Sequence, residues 1–460
     1  MIHSIGKDMK TIQYMGSKKN LLDFIDTCIE DYMRIHKAYC QKNSIPFVKC
    51  ERFFDVFSGS GRVSYYFRNK YRIVSNDKLY FSKVILNAYL CNPYPKSSYH
   101  VFVDELNRLQ ESDFIETDID WWYSKTYGGE WNQGKSEDSN GVKKLWLMDN
   151  AKKIDMIRYQ IKKWKNDQRI DSAQENVLLL ALILAVNKVS NVVGHQNGYL
   201  KNWCSNAQRA LILETPNVFQ TDPERHEHHV GDIFEQLPFL SGDIAYIDPP
   251  YGTNNKNLSV ATRYSSFYHL WNTLVQDIRP SVFGKAHKPI QTKGYTEPLE
   301  KNKRDVVFPR FLRIIEEIDA DYVVFSYSNK SLLTAKDFYK LYELAGCDMN
   351  TFCLYIAEHT TNNQTKLAKK EGDWIDRVND EMPLQEYLFI ARKDRKRKNA
   401  PNRITKIMGE DYVSSPETEA WISNGEDYRL PEDVCIKWYP KDILIEKKSE
   451  NSSFSLFDLL

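Results

Sequence analysis

The chain is poor in several features that would narrow its class at once. It has no charge excess: 63 Lys and Arg against 62 Asp and Glu leave a net charge of +1 over 460 residues. Any face for a polyanion must therefore come from segregated rather than total charge. The longest apolar run, Val177 to Val186, is about half of the ~20 residues needed to cross a bilayer and reads as a buried helix. The amino terminus is polar and lacks the apolar core of a secretory signal. Eight cysteines include no CxxC pair, which argues against zinc and for reduced thiols in a soluble, cytoplasmic protein with no membrane association. His226, His228 and His229 beside Glu227 suit an exposed loop better than a metal site, and no metal is expected. Internal repeats and long low-complexity tracts are missing as well.

What is present is a chain with 42% hydrophobic residues and 28 tyrosines, enough for one large core or two domains. Its most informative segment is Asp248-Pro249-Pro250-Tyr251 after the apolar run Ile244 to Ile247. That run reads as a buried parallel strand delivering the tetrapeptide to the carboxyl edge of a sheet, where open α/β folds bind ligands. The Asp248 carboxylate can accept from an exocyclic amine, the two prolines stiffen the backbone, and Tyr251 offers a stacking face. A Pro-stiffened turn explains the same residues, so context must decide.

Upstream, Phe53 to Arg62 reads as a strand running into a Gly59-x-Gly61 turn with a helix from about Val63. Glycines there let a ligand approach the backbone closely. The third glycine of a dinucleotide fingerprint is replaced by Ser64, which disfavours pyrophosphate. Tyr71 to Asp77 reads as a second strand ending in an acid, the place from which nucleotide sites grip ribose hydroxyls. An adenosine without phosphate fits this pair best. Near the start, Tyr14 to Asn20 precedes a helical pattern, with Ser17 as N-cap and Lys18 placed to suit a carboxylate ligand or simply to be solvated.

In this order, Tyr14-Met15-Gly16-Ser17-Lys18, Phe54 to Gly61 and Asp248-Pro249-Pro250-Tyr251 resemble the Dam-like alpha group of DNA adenine-N6 methyltransferases, as do Tyr322 to Asn329 and Glu386 to Ala391. The resemblance spans about residues 11 to 393. It implies an α/β fold: a Rossmann-like S-adenosylmethionine-dependent methyltransferase sheet with a largely helical inserted target-recognition domain. It further implies S-adenosylmethionine as cofactor, touched by Tyr14, Gly16, Lys18, Asp55, Phe57, Gly59 and Gly61, with Asp77 on the ribose. Asp232 would meet the adenine edge, although Gly231-Asp232 also suits a plain turn. The catalytic set would be Asp248, Pro249, Pro250 and Tyr251, acting on the N6 amine of an adenine flipped out of duplex DNA.

The expected organisation is a first catalytic part (1–92), a target-recognition insertion (93–221), a second catalytic part (222–393) and a basic linker with a tail of unreadable role (394–460). Within the insertion, Ile154, Ile157, Ile161 and Trp164 mark the inward face of a helix. Arg158, Lys162, Lys165 and Arg169 follow the same period on an adjacent face, a stripe that could track phosphates or be a solvated flank. Tyr127-Gly128-Gly129 reads as a turn, residues 194–201 as a loop near DNA or an ordinary connection, and the polar stretch from Gly252 to about Arg304 as a long loop closing over substrate. A monomer is expected, in a restriction-modification or phage/bacterial DNA-modification system, with any cognate endonuclease encoded separately. Cytosine-N4 methylation, adenine methylation in RNA, and a non-catalytic DNA-binding regulator are the rival functions. The residues that read a recognition sequence are not legible, because many Asn, Gln, Arg and Lys side chains qualify.

Overall fold

The computed structural model describes residues 9–192, 195, 200–252, 263–359, 369–370, 373–374, 384–393, 406–408, 411–413 and 434–439. Strands β1 (Arg52–Asp55), β2 (Arg72–Asp77), β3 (Glu227–Val230), β4 (Ile244–Ile247), β5 (Tyr322–Ser328), β6 (Cys347–His359), β7 (Leu384–Lys393) and β8 (Cys435–Tyr439) form one sheet in the order β8-β6-β7-β5-β4-β1-β2-β3. Strands β3, β2, β1, β4 and β5 run parallel. Strand β7 is antiparallel to β5 and β6, and β8 lies parallel to β6 on the edge. The helices used below are α1 (Leu22–Lys42), α2 (Arg62–Phe67), α3 (Tyr80–Leu90), α4 (Met148–Asn166), α5 (Ser172–Lys188), α6 (His269–Gln276), α7 (Arg304–Glu317) and α8 (Ala335–Leu344).

Both faces of the sheet are covered, which explains why its strands read as apolar runs rather than alternations. Phe53, Ile73, Ile244 and Val324 face α1 and α2. Their neighbours Phe54, Val74, Ala245 and Phe325 face α7 and α8. A third core joins α3 to the insertion, where Val84 and Leu86 share a cluster with Leu178 and Leu182 of α5. Helix α5 is apolar all round and therefore buried; it starts with a capping box between Asp171 and Gln174.

Several expectations need correction. Ser17 precedes only a 3-10 turn, Lys18–Asn20, and its side chain makes no capping bond. Residues 128–129 are not a turn but a two-residue strand paired with Trp146–Leu147. His226 and His228 are not in an exposed loop: they are buried at the sheet edge, where His226 Nδ1 accepts from the Ile73 amide and His228 Nδ1 lies 2.7 Å from Ser75 Oγ. The stretch after Gly252 is largely ordered from residue 263 onward. There Leu270, Trp271, Leu274 and Val275 give α6 an inward face that the surrounding polar residues masked. Asn254, Asn255 and Lys256 lie outside the described residues, as do most of 194–201 and the basic run from 394 to 398. Of the tail, Cys435–Tyr439 adds strand β8 to the sheet.

The basic stripe on α4 also changes. The expected inward residues are all buried, but Arg158 is buried with them. Its guanidinium donates to the carbonyls of Leu274 (2.8 Å) and Val275 (3.3 Å) and sits 3.7 Å from Asp277. A flank that faces α6 cannot face phosphate. Lys162 is more than half exposed but reaches Asp277 at 3.0 Å, Lys165 donates to Ser172, and Arg169 pairs with Glu105 at 2.6 Å. Arg158→Ala is therefore expected to destabilise the fold by about 2–4 kcal/mol, because Asp277 keeps Lys162 and Arg279 while two carbonyls lose a donor. Equilibrium urea unfolding checks this; a surface-like change under ~0.5 kcal/mol would contradict it.

Candidate active site

Three acids close the carboxyl ends of adjacent strands: Asp55 ends β1, Asp77 ends β2 and Asp248 follows β4. Strands β1 and β4 are neighbours, and from them the chain builds outward in opposite directions. This is the switch point at which open α/β sheets leave a crevice. A cavity of about 310 Å³ opens there. It is bounded by the Tyr14–Lys18 segment, the Phe57–Ser60 turn, Asp77, Asp232, the Asp248–Tyr251 loop and Tyr264.

Each part is held by a nameable force. Gly59 (φ +50°) and Gly61 (φ +77°) shape the turn after β1. A Cβ on Gly59 would come within 2.9 Å of the Tyr14 ring, so glycine keeps this wall of the cavity open. Asp77 accepts from the Gly59 amide at 2.7 Å and the Leu79 amide at 2.8 Å. Burial nevertheless pushes its carboxyl up to about 6. Asp55 points inward and accepts from Ser64 Oγ at 2.6 Å, and burial raises it to about 7. It braces the turn: its bonds run to the start of α2. Asp232 caps the short helix behind it by accepting from the Phe234 amide, and Lys78 joins it to Glu297.

Tyr14 stacks on Tyr268 with ring centroids 4.5 Å apart, and the Tyr268 hydroxyl accepts from the Met15 amide at 2.7 Å. The Tyr264 hydroxyl donates to the Met15 carbonyl. Sequence reasoning assigns neither tyrosine a role, since both lie in the polar stretch that reads as loop. The Tyr251 ring lies 4.9 Å from Tyr327, which in turn packs on Phe311, so it is a buttressed plate rather than a loose side chain.

Lys18 is not solvated. Its ammonium lies 2.9 Å from Asp248 Oδ1 and 3.0 Å from Glu386 Oε1, with almost no exposure of its side chain. Burial alone would lower its pKa, but the two carboxylates hold it well above the ordinary lysine value. Asp248 does not move down in return. Burial, aided by Glu386 and opposed by Lys18, puts it up to about 6. The attraction of one shared ammonium is outweighed by desolvation and a second carboxylate. Sequence reasoning places Glu386 on a strand but gives it no role; the signal that could have found it is a charge at the head of an otherwise apolar run.

Residues 14–341 match the family model for D12 class N6 adenine-specific DNA methyltransferases. The chain belongs to that family. It is 26% identical to the type II methyltransferase M.FokI of Planomicrobium okeanokoites, over 88% of this chain and 57% of that protein. It is 27% identical to the modification methylase LlaI of Lactococcus lactis subsp. lactis, over 85% and 56% respectively. With the type II methyltransferase M.NlaIII of Neisseria lactamica the identity is 29%, over 73% of this chain and 89% of that protein. The chain thus spans a little over half the length of the first two. The matched stretch contains every residue that lines the cavity, whereas Glu386, which meets Lys18 from β7, lies beyond it.

Two glycines with positive φ, Gly59 in this D12 site and Gly134 outside it, separate strain from space. Gly59→Ala and Gly134→Ala (φ +79°, nothing within 4 Å of a Cβ) both meet backbone strain of about 1–3 kcal/mol, but only Gly59→Ala also strikes an aromatic ring. Urea unfolding should show the larger loss for Gly59→Ala; equal losses would mean that the Tyr14 wall gives way freely.

Proposed function

We propose that this chain transfers a methyl group from S-adenosylmethionine to the N6 amine of an adenine flipped out of duplex DNA. The observation that carries the reading is that Asp248 and Tyr251 open into the same cavity as the Gly59 turn and the Asp77 carboxylate. Amine acceptor and nucleoside-binding acid thus share one enclosure.

The residues fit the cofactor. A carboxylate has about four lone-pair sites, so Asp77 keeps acceptor capacity for ribose hydroxyls beyond its two amide bonds. Asn76 Oδ1 is buried beside it with no hydrogen-bond partner. Tyr14, Gly16, Phe57, Gly59 and Gly61 would enclose the methionine end, and Asp232 the adenine edge; Asp55 and Lys18 would act by bracing the walls. When bound, the cofactor supplies an electron-poor methyl group on a sulfonium.

The chain's task is to make a poor nucleophile attack. The adenine amine is weakly nucleophilic because its lone pair is delocalised into the ring. Asp248, through the carboxylate oxygen that Lys18 does not engage, and the carbonyl near Pro249 would accept the two N–H hydrogens and localise that pair. Pro249 and Pro250 fix the carbonyl's direction. The Asp248 bond would strengthen as positive charge grew on the amine nitrogen accepting the methyl group, whose bonding electron pair would stay on the sulfur it leaves. The proton that nitrogen must then shed can leave through the same oxygen. Tyr251 would stack on the extruded base, about 1–3 kcal/mol towards the few kcal/mol that flipping costs.

For the duplex, Lys162 and Lys165 of α4 and Arg169 just past its end remain the candidate phosphate-binding residues, since their charged heads reach the surface. The proposed functional unit is a monomer. The relatives' names, type II methyltransferase and modification methylase, support a DNA-modification role; a cytoplasmic location and a separately encoded endonuclease are part of the proposal. Among the described residues no helix is long and apolar enough to cross a membrane.

Modified-base sequencing of DNA from expressing cells should reveal N6-methyladenine at a defined motif; cytosine or no modification would refute the reading. Asp248→Ala should abolish transfer while leaving S-adenosylmethionine affinity within a few fold, and equal loss of both would remove the acceptor role. Replacing Lys162 and Lys165 by Ala should flatten the salt dependence of DNA binding by roughly one unit of slope for each phosphate that a replaced lysine had neutralised. An unchanged slope would return α4 to a solvated flank.

A further inference from the structure

Glu386 lies near the start of β7, opposite Ser328 at the end of β5, and its carboxylate meets Lys18 at the cavity wall. Ser326 Oγ on β5 donates to Glu386 Oε1 at 2.5 Å. The same oxygen meets Lys18 Nζ at 3.0 Å, and Lys18 meets Asp248 at 2.9 Å. Glu386 and Lys18 are both at least 96% buried.

We propose that Glu386 is a positioning residue for methyl transfer, acting through Lys18 to hold Asp248 in place and to keep it a strong hydrogen-bond acceptor. The proposal rests on the reading of Asp248 as the amine's acceptor. Without Glu386 the whole ammonium would belong to Asp248, forming a neutral pair whose carboxylate is already saturated by its counter-charge. With Glu386 one ammonium is divided between two carboxylates, and the buried cluster carries one net negative charge. That surplus favours taking hydrogens, and finally a proton, from an amine becoming positive.

Among the described residues the other titratable groups facing Asp248 are Asp55 from β1, which burial raises to about 7 so that it is mostly protonated at the acidic limb, and the hydroxyls of Tyr14, Tyr246, Tyr251 and Tyr264, which burial keeps in the neutral form. The direction of the effect follows. Burial raises the Asp248 pKa, Lys18 lowers it and Glu386 raises it. Transfer needs the ionised carboxylate, so it is lost as pH falls through about 6, and removing the Glu386 charge moves that limb to lower pH.

The deciding variant is Glu386→Gln, which preserves shape and an oxygen that can accept from Ser326 and Lys18. Initial rates of labelled methyl transfer from S-adenosylmethionine to unmethylated genomic DNA are measured with the full chain from about pH 5 to about pH 9, together with calorimetric S-adenosylmethionine affinity and thermal unfolding. The expected result is an acidic limb lower by about one pH unit and a plateau rate reduced roughly 5–10-fold, with affinity and melting temperature close to wild type. An unmoved limb, or a rate loss matched by equal losses in affinity and stability, overturns the proposal. If the Gln variant does not fold, Glu386→Ala is read by the same limb; if neither folds, Glu386 is a structural residue and the proposal fails. A wild-type chain that methylates nothing would sink the functional reading itself, whereas an active wild type with an unmoved limb sinks only the role of Glu386.

Discussion

One buried ammonium holds the candidate site together. Lys18 comes from the 3-10 turn ahead of α1, Asp248 from the loop after β4, and Glu386 from the antiparallel strand β7. Two carboxylates this close inside a protein repel strongly, because the interior does little to screen them. A lysine between them converts the repulsion into a clamp. Such a cluster contributes little net stability, since each charge loses its hydration. Its value is geometric: it registers three distant segments, and a shift of any one would move the acceptor at the cavity wall.

The sheet explains why the clamp can be built there. Parallel strands deliver their chain ends to one edge, and at β1, β2 and β4 those ends are acids. Asp55 turns inward to Ser64 and braces the turn, Asp77 takes the amides of the turn and keeps lone pairs towards the cavity, and Asp248 faces Lys18. Three carboxylates of the same residue type thus receive three jobs from their hydrogen-bond surroundings alone.

Much of this was legible in the sequence, for a physical reason. Features set by neighbours in the chain can be read directly: the apolar strands, the Gly59-Ser60-Gly61 turn, the acids that end β1 and β2, and the Asp248–Tyr251 loop. Features set by pairing across the fold cannot. Nothing local shows that Glu386 meets Lys18, or that Tyr268 stacks on Tyr14. Helical periodicity found the inward face of α4, but it could not show that α6 packs along the flank and takes Arg158 inside. His226 and His228 misled because their polarity suggested solvent, whereas Ile73 and Ser75 supply buried partners. Two apolar pairs set among polar residues likewise concealed α6.

The same long-range pairings tie the segment 93–221 to the Tyr14 side of the cavity. Helix α3 begins directly after Asp77, and its second residue, Phe81, donates its amide to Asn272 of α6 at 3.1 Å. Helix α3 also packs on α5 of the insertion, while α6 holds Arg158 of α4 through its last carbonyls. Just ahead of α6, Tyr268 grips Met15 and stacks on Tyr14. The insertion, the segment after the Asp248–Tyr251 loop and the Tyr14 side of the cavity are therefore not three modules meeting at a surface but one packed wall.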